Sequence, residues 1–120
     1  MTTTDSLFDR VGGRDPLLQL LRSFYADVRQ HADIGPIFAA HVTDWPNHLE
    51  KIANFWSTVL GGPTRYAGPV YHVHKSMPLQ PPHFAAWLEL WSRHCHIKFP
   101  GPIAEELVTV AHNFARRLQS

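Results

Sequence analysis

The sequence predicts an all-α fold. Four stretches place apolar residues at helical spacing. Proline and glycine mark their boundaries. No alternating run long enough to make a convincing strand interrupts them.

The spacing predicts a first helix over residues 16–30. Pro16 suits its first turn after Asp15. Leu17, Leu21, Phe24 and Val28 share one face, and Tyr25 sits at that face's edge. Gly35-Pro36 lies beyond its end, and Ile37-Phe38 suggests one more short turn. Thr43 or Asp44 is placed to cap the next helix, with Pro46 in its first turn. Its apolar side runs Trp45, Leu49, Ile52, Phe55 or Trp56, and Val59. His48 lies on the same side. Gly61-Gly62-Pro63 stops it.

Residues 63–82 break the pattern with Pro63, Pro69, Pro78, Pro81, Pro82 and Gly68. One short helix near 69–76 is the most this stretch accommodates. A long irregular segment inside a compact domain is uncommon and often functional. It contains His72 and His74. Pro82 can open the following helix, which runs to about Lys98 with Phe84, Trp87, Leu88, Trp91 and Cys95 inward. After Pro100-Gly101-Pro102 the last helix runs to about Leu118. Its inner positions are Ile103, Leu107, Val110, Ala111, Phe114 and Leu118. Glu105 and Glu106 sit early in it and Arg116 and Arg117 late, as the helix dipole favours.

The chain has 120 residues, 44% hydrophobic and 18% charged. That suits a single domain over 1–120 with a real core. A net charge of +1 gives no reason to expect nucleic acid or a membrane surface as partner. The start, MTTTDSLFDR, lacks the basic and apolar regions of a secretion signal, so the expected location is cytoplasmic. Cys95, the single cysteine, has no internal partner for a disulfide.

Nine histidines raise the question of zinc. There is no H-E-x-x-H and no cysteine pair. His94 and His96 point to different sides of their helix. Cys95 falls on an apolar stripe, where an inert thiol is expected rather than a nucleophile. More unusual is the set Tyr25, His48 and Trp87, one on each of three helices, each on or beside an apolar face. Each carries a donor that needs a partner when buried. They are either three separately satisfied core residues or donors converging on a polar ligand in an apolar pocket.

Several motifs, in order, resemble the truncated haemoglobins, small globins with a two-over-two helical arrangement. They are Phe24-Tyr25, Gly35-Pro36-Ile37-Phe38, Trp45 with His48, and Asn54-Phe55-Trp56. Tyr66-x-Gly68, His74-x-x-Met77-Pro78-Leu79 and His83-Phe84-x-x-Trp87-Leu88 follow. The resemblance covers about residues 8–118 and is most similar to the family's third group. Gly12-Gly13 and Leu60-Gly61-Gly62-Pro63 look more like the first and second groups.

The resemblance implies a haem b whose iron is ligated by His74, with His72 as the alternative ligand. It implies Tyr25, His48 and Trp87 around a diatomic gas: dioxygen, nitric oxide or carbon monoxide. Phe38, Ile52, Phe55, Val70, Met77 and Trp91 would line the porphyrin. Tyr66, Arg65 and Lys75 would be near its propionates. His31, His41, His94, His96 and His112 are expected in solvent. Two functions stay open. One is reversible gas binding. The other is nitric oxide detoxification or peroxidase-like chemistry, which would need an external reductase because the chain has no flavin or nicotinamide domain. A haem-free helical interaction domain would leave the irregular segment with His74 unexplained.

Overall fold

The structure is a computed structural model that describes residues 5–63, 66, 68 and 79–119. Among these residues the regular structure is all helical, with six helices: α1 (Leu7–Arg10), α2 (Arg14–Gln30), α3 (Gly35–His41), α4 (Trp45–Val59), α5 (Pro81–Lys98) and α6 (Gly101–Gln119). None of them is long and apolar enough to cross a membrane.

Local chemistry sets the boundaries. Asp44 caps α4 by accepting from the Asn47 amide at 3.2 Å, which decides between the two cap candidates, and Pro46 sits in its first turn. At the start of α5 the Gln80 amide donates to His83 Nδ1 at 2.9 Å, so His83 serves as a capping side chain. Gly12 and Gly13 adopt φ of 100° and 88°, a region L side chains rarely occupy, and turn α1 into α2. The short α1 carries only Phe8 into the core, too little periodic pattern to be read from sequence. The expected short helix at 69–76 lies outside the described residues.

Two pairs of helices make the body. α2 packs on α4, α5 packs on α6, and α2 also lies against α5. α4 and α5 meet through long side chains, Trp56 of one stacking on Trp91 of the other. The core contains Leu17, Leu20, Leu21, Phe24 and Val28 of α2, and Ala53 and Trp56 of α4. Leu90, Trp91 and Cys95 of α5 and Ala104, Leu107 and Ala111 of α6 complete it. Burying each large side chain contributes about 1.5–3 kcal/mol. Alanines at 104, 111 and 115 let α6 approach closely, while Ile103, Val110, Phe114 and Leu118 remain partly covered. Val59, expected inside, is 43% exposed. Trp56 takes the deep position on α4 instead.

Candidate functional site

Phe24 and Tyr25 sit side by side near the middle of α2, and their rings meet edge-on at 4.7 Å. Phe24 is fully buried and makes edge contacts with Trp87 at 5.5 Å and Trp91 at 5.1 Å, both on α5. It is the wedge that sets the distance between α2 and α5. Tyr25 points to the other side, 6% exposed, against Phe38 of α3 and Trp45 of α4, each with ring centroids 5.8 Å away. The residues beside Phe24 and Tyr25 thus come from α3, α4 and α5.

Tyr25 is the electrostatic feature of this place. Burial pushes its phenol up to about 12, and a hydrogen bond from the Trp87 side chain pulls in the opposite direction. The indole N–H can only donate, so the phenol oxygen accepts from Trp87. Tyr25 therefore stays a neutral hydroxyl at physiological pH.

His48 lies one turn after Trp45 on α4. The two rings meet edge to face at 5.5 Å, with His48 half-buried. Arg29, from the last turn of α2, places its guanidinium 4.7 Å from the centre of the Trp45 ring. Tyr25, Trp45 and His48 thus form a continuous row from buried to half-exposed, with Arg29 clamping its middle. Tyr25 and Trp87 are in direct contact, and His48 joins them through Trp45.

Along α4, Leu49, Ile52 and Phe55 are only partly buried, as are Phe38 on α3 and Trp87 and Leu88 on α5. Phe55 contacts Tyr66 at 5.5 Å and Phe114 at 4.8 Å. The Tyr66 amide donates to Thr58 Oγ1 at 2.8 Å, which ties Tyr66 to α4. Trp91 lies a layer deeper, fully buried, with its indole N–H donating to the Leu107 carbonyl at 3.0 Å. His74, His72, Val70, Met77, Arg65 and Lys75 fall outside the described residues.

Among the histidines expected in solvent, His41, His96 and His112 are exposed and His31 is half-buried. His94 is a correction. Its side chain is only 14% exposed, packs its ring on the edge of Phe24 and holds Asp27 at 2.6 Å. It closes an interhelical contact between α5 and α2, because Phe24 and Asp27 lie on one edge of α2. Cys95 is buried and its thiol is pushed up to about 12 by desolvation, as an inert cysteine requires. Sequence reasoning missed Arg29. Nothing in a lone arginine near a helix end marks it as a clamp on a tryptophan sixteen residues later.

A shallow groove of about 570 Å³ lies elsewhere, between α5 and α6, lined by Leu88, Glu89, Ser92, Arg93, Val108 and His112 among others. It is open to solvent and contains none of Tyr25, His48 and Trp87.

Comparison with known proteins agrees with this architecture. Residues 6–118 match the bacterial-like globin family. The chain is 29% identical over 112 residues to the group 3 truncated haemoglobin of Campylobacter jejuni, covering 89% of this chain and 88% of that one. It is also 29% identical over 82 residues to a group 1 truncated haemoglobin of Nostoc, covering 68% of each. Among solved structures, a group III truncated haemoglobin from Campylobacter jejuni superposes with a TM-score of 0.83 at 27% identity. That match covers 99% of this chain and 93% of that chain. The truncated oxygen-avid haemoglobin of Bacillus subtilis gives 0.82 at 25% identity, covering 95% and 98%. With the two helical pairs in place, the chain belongs to the bacterial-like globin family, and a haem-binding role comes with that membership.

Proposed function

We propose that the whole chain acts as one globin unit that reversibly binds dioxygen and other diatomic gases at a haem b ligated by His74, with Tyr25, His48 and Trp87 on the gas side. The observation that carries this reading is the buried Tyr25 hydroxyl, kept neutral by its enclosure beside Trp87 and therefore still an O–H donor. A neutral donor held in an apolar enclosure is useful only to a guest that brings an acceptor.

The residues present fit the cofactor. Phe38, Leu49, Ile52, Phe55 and Trp87 are large, apolar and only partly buried on neighbouring helices. Covering them with a flat apolar macrocycle gains about 25 cal/mol per Å² of apolar surface. In this reading Ile52, Phe55 and Phe38 line the ring together with Val70 and Met77. Trp91 supports it from behind Trp87, and Tyr66 is near a propionate. Held through one histidine, haem would supply an iron able to bind a diatomic gas.

The protein's own part is electrostatic. Trp87 fixes the Tyr25 oxygen by donating to it and so orients the Tyr25 hydroxyl proton outward. That proton meets the negative end of a polarised diatomic guest, in a dry setting where hydrogen bonds count for more than in water. His48 lies farther out along α4 and donates from the solvent side. Several donors on one guest mean slow release, which favours tight binding or sensing over transport. The oxygen-avid relative in Bacillus subtilis is in keeping with that expectation.

The test is an absorption spectrum of the purified protein beside that of His74→Ala. A Soret band that is lost or strongly altered in the variant supports the reading. An unchanged band moves the ligand to His72 or His48. A parent that stays colourless after haem is added overturns the reading.

A further inference from the structure

Behind Tyr25 the interior holds an array of indoles that gas binding does not call for. Trp87 and Trp91, one turn apart on α5, stack with ring centroids 5.9 Å apart and planes within 1°. Trp91 stacks in turn on Trp56 of α4, at 4.6 Å and 15°. Aromatic pairs in cores prefer edge-to-face or offset contacts. Phe24 makes edge-to-face contacts with Trp87 and Trp91 in this same core. Three indoles with near-parallel planes run in sequence, offset at Trp87–Trp91 and closer at Trp91–Trp56. They begin at the half-buried Trp87, in contact with Tyr25, and end at the buried Trp56. Three of the chain's four tryptophans belong to it.

We propose that Trp87, Trp91 and Trp56 form a hole-transfer chain that draws an oxidising equivalent out of the ligand pocket when the oxidant is a hydroperoxide. The proposal rests on the haem reading above, because the haem is where the peroxide would be reduced. Indole is among the most easily oxidised side chains, and neighbouring rings with centroids 4.6 and 5.9 Å apart are close enough for a missing electron to move between them.

The surroundings make Trp87, not Tyr25, the point where the electron leaves. Oxidising a phenol requires loss of its proton, and the buried Tyr25 holds its proton unusually tightly. At Trp91 the indole N–H donates to the Leu107 carbonyl, which stabilises a positive ring without being basic enough to take the proton. The vacancy therefore stays mobile as an indole radical cation.

Reduction of a hydroperoxide to an alcohol and water consumes two electrons and two protons. With haem bound, it would supply one of these electrons and Trp87 the other, Trp87 being refilled by Trp91 and Trp91 by Trp56. A one-electron donor of the phenol or ascorbate class returns both electrons. Without such a donor, one indole loses two electrons and two protons and adds water. The net change is then tryptophan plus hydroperoxide to hydroxytryptophan plus alcohol.

The experiment treats the haem-loaded full chain with hydrogen peroxide and no donor, then maps oxidised residues by peptide mass spectrometry. Trp91 and Trp56 are expected to be hydroxylated although they are buried, ahead of the more exposed Trp45. Haem-free protein under the same peroxide is expected to leave them intact. In Trp91→Phe, oxidation of Trp56 is lost and that of Trp87 rises. If this variant does not fold, Trp56→Phe serves, with oxidation accumulating at Trp91. A Soret band with Trp91 and Trp56 unmodified overturns the chain alone, as does Trp56 oxidation that persists in Trp91→Phe. Failure to take up haem overturns the pocket reading and the chain together.

Discussion

The Arg29 guanidinium lies 4.7 Å from the centre of the Trp45 ring, and Trp45 in turn covers Tyr25 at 5.8 Å. An exposed arginine at the end of α2 thus holds the lid over a buried hydroxyl on the same helix. Arg29→Ala is expected to cost about 0.5–1 kcal/mol of stability, the worth of an exposed cation–π contact. It should also raise both association and dissociation rates of carbon monoxide in flash photolysis, because Trp45 loses its clamp. Unchanged rates would show that Trp45 holds its place without Arg29.

Tyr25→Phe removes the donor and little volume. A hydrogen bond to a charged or strongly polarised partner is worth about 1.5–3 kcal/mol. The dioxygen off-rate is therefore expected to rise by about 10- to 100-fold, measured by stopped-flow displacement. An unchanged off-rate removes Tyr25 from the gas side of the pocket.

Stability should fall in alkali for a definable reason. The folded-state values of Tyr25 and Cys95 are both raised, to about 12, from ordinary values of 10.0 and 9.0. Below pH 9 both groups keep their protons whether folded or not, and their contribution is fully present. As pH rises the unfolded chain releases these protons first, so stability is lost between about 9 and 12. Tyr25 alone accounts for about 3 kcal/mol across its part of that window. Urea denaturation across this range should show the decline, and Tyr25→Phe should flatten it above pH 10.

The Asp27–His94 contact joins the helix that carries Tyr25 to the helix that carries Trp87. Asp27→Ala leaves a largely enclosed His94 without its acceptor. A loss of about 1–2 kcal/mol is expected, reduced toward the lower figure because Asp27 is itself half exposed. A double-mutant cycle with His94→Ala measures the coupling directly. A coupling near zero would mean that Phe24 alone sets the spacing of α2 and α5.

Gly35→Ala tests the corner between α2 and α3. A Cβ there would stand 2.6 Å from the Arg29 carbonyl oxygen, a backbone atom that cannot swing aside. Overpacking of this kind costs about 1–3 kcal/mol. Since the corner positions Phe38 against Tyr25, the midpoint of thermal unfolding and the carbon monoxide rates are both expected to change.

Periodicity, prolines and glycines sufficed for the main helices, because those signals are local. Leu17, Phe24 and Val28 share a face by the geometry of one helix, and Thr43-Asp44 followed by Pro46 announces a helix start within four residues. Such features needed no knowledge of what lay opposite. The all-α class was legible in that sense, and motif order singled out Tyr25, His48 and Trp87 as candidate donors. Tertiary structure decided what these residues meet. Spacing could not choose between Phe55 and Trp56 for the deepest place on α4, because both lie within one turn of the apolar stripe. Packing against Trp91 chose Trp56. Neither could it tell that His94 would be enclosed by Asp27 and Phe24, or that Arg29 would cover Trp45. Each of those depends on the crossing of two helices far apart in the chain, and a single helix's periodicity carries no information about its neighbour's position.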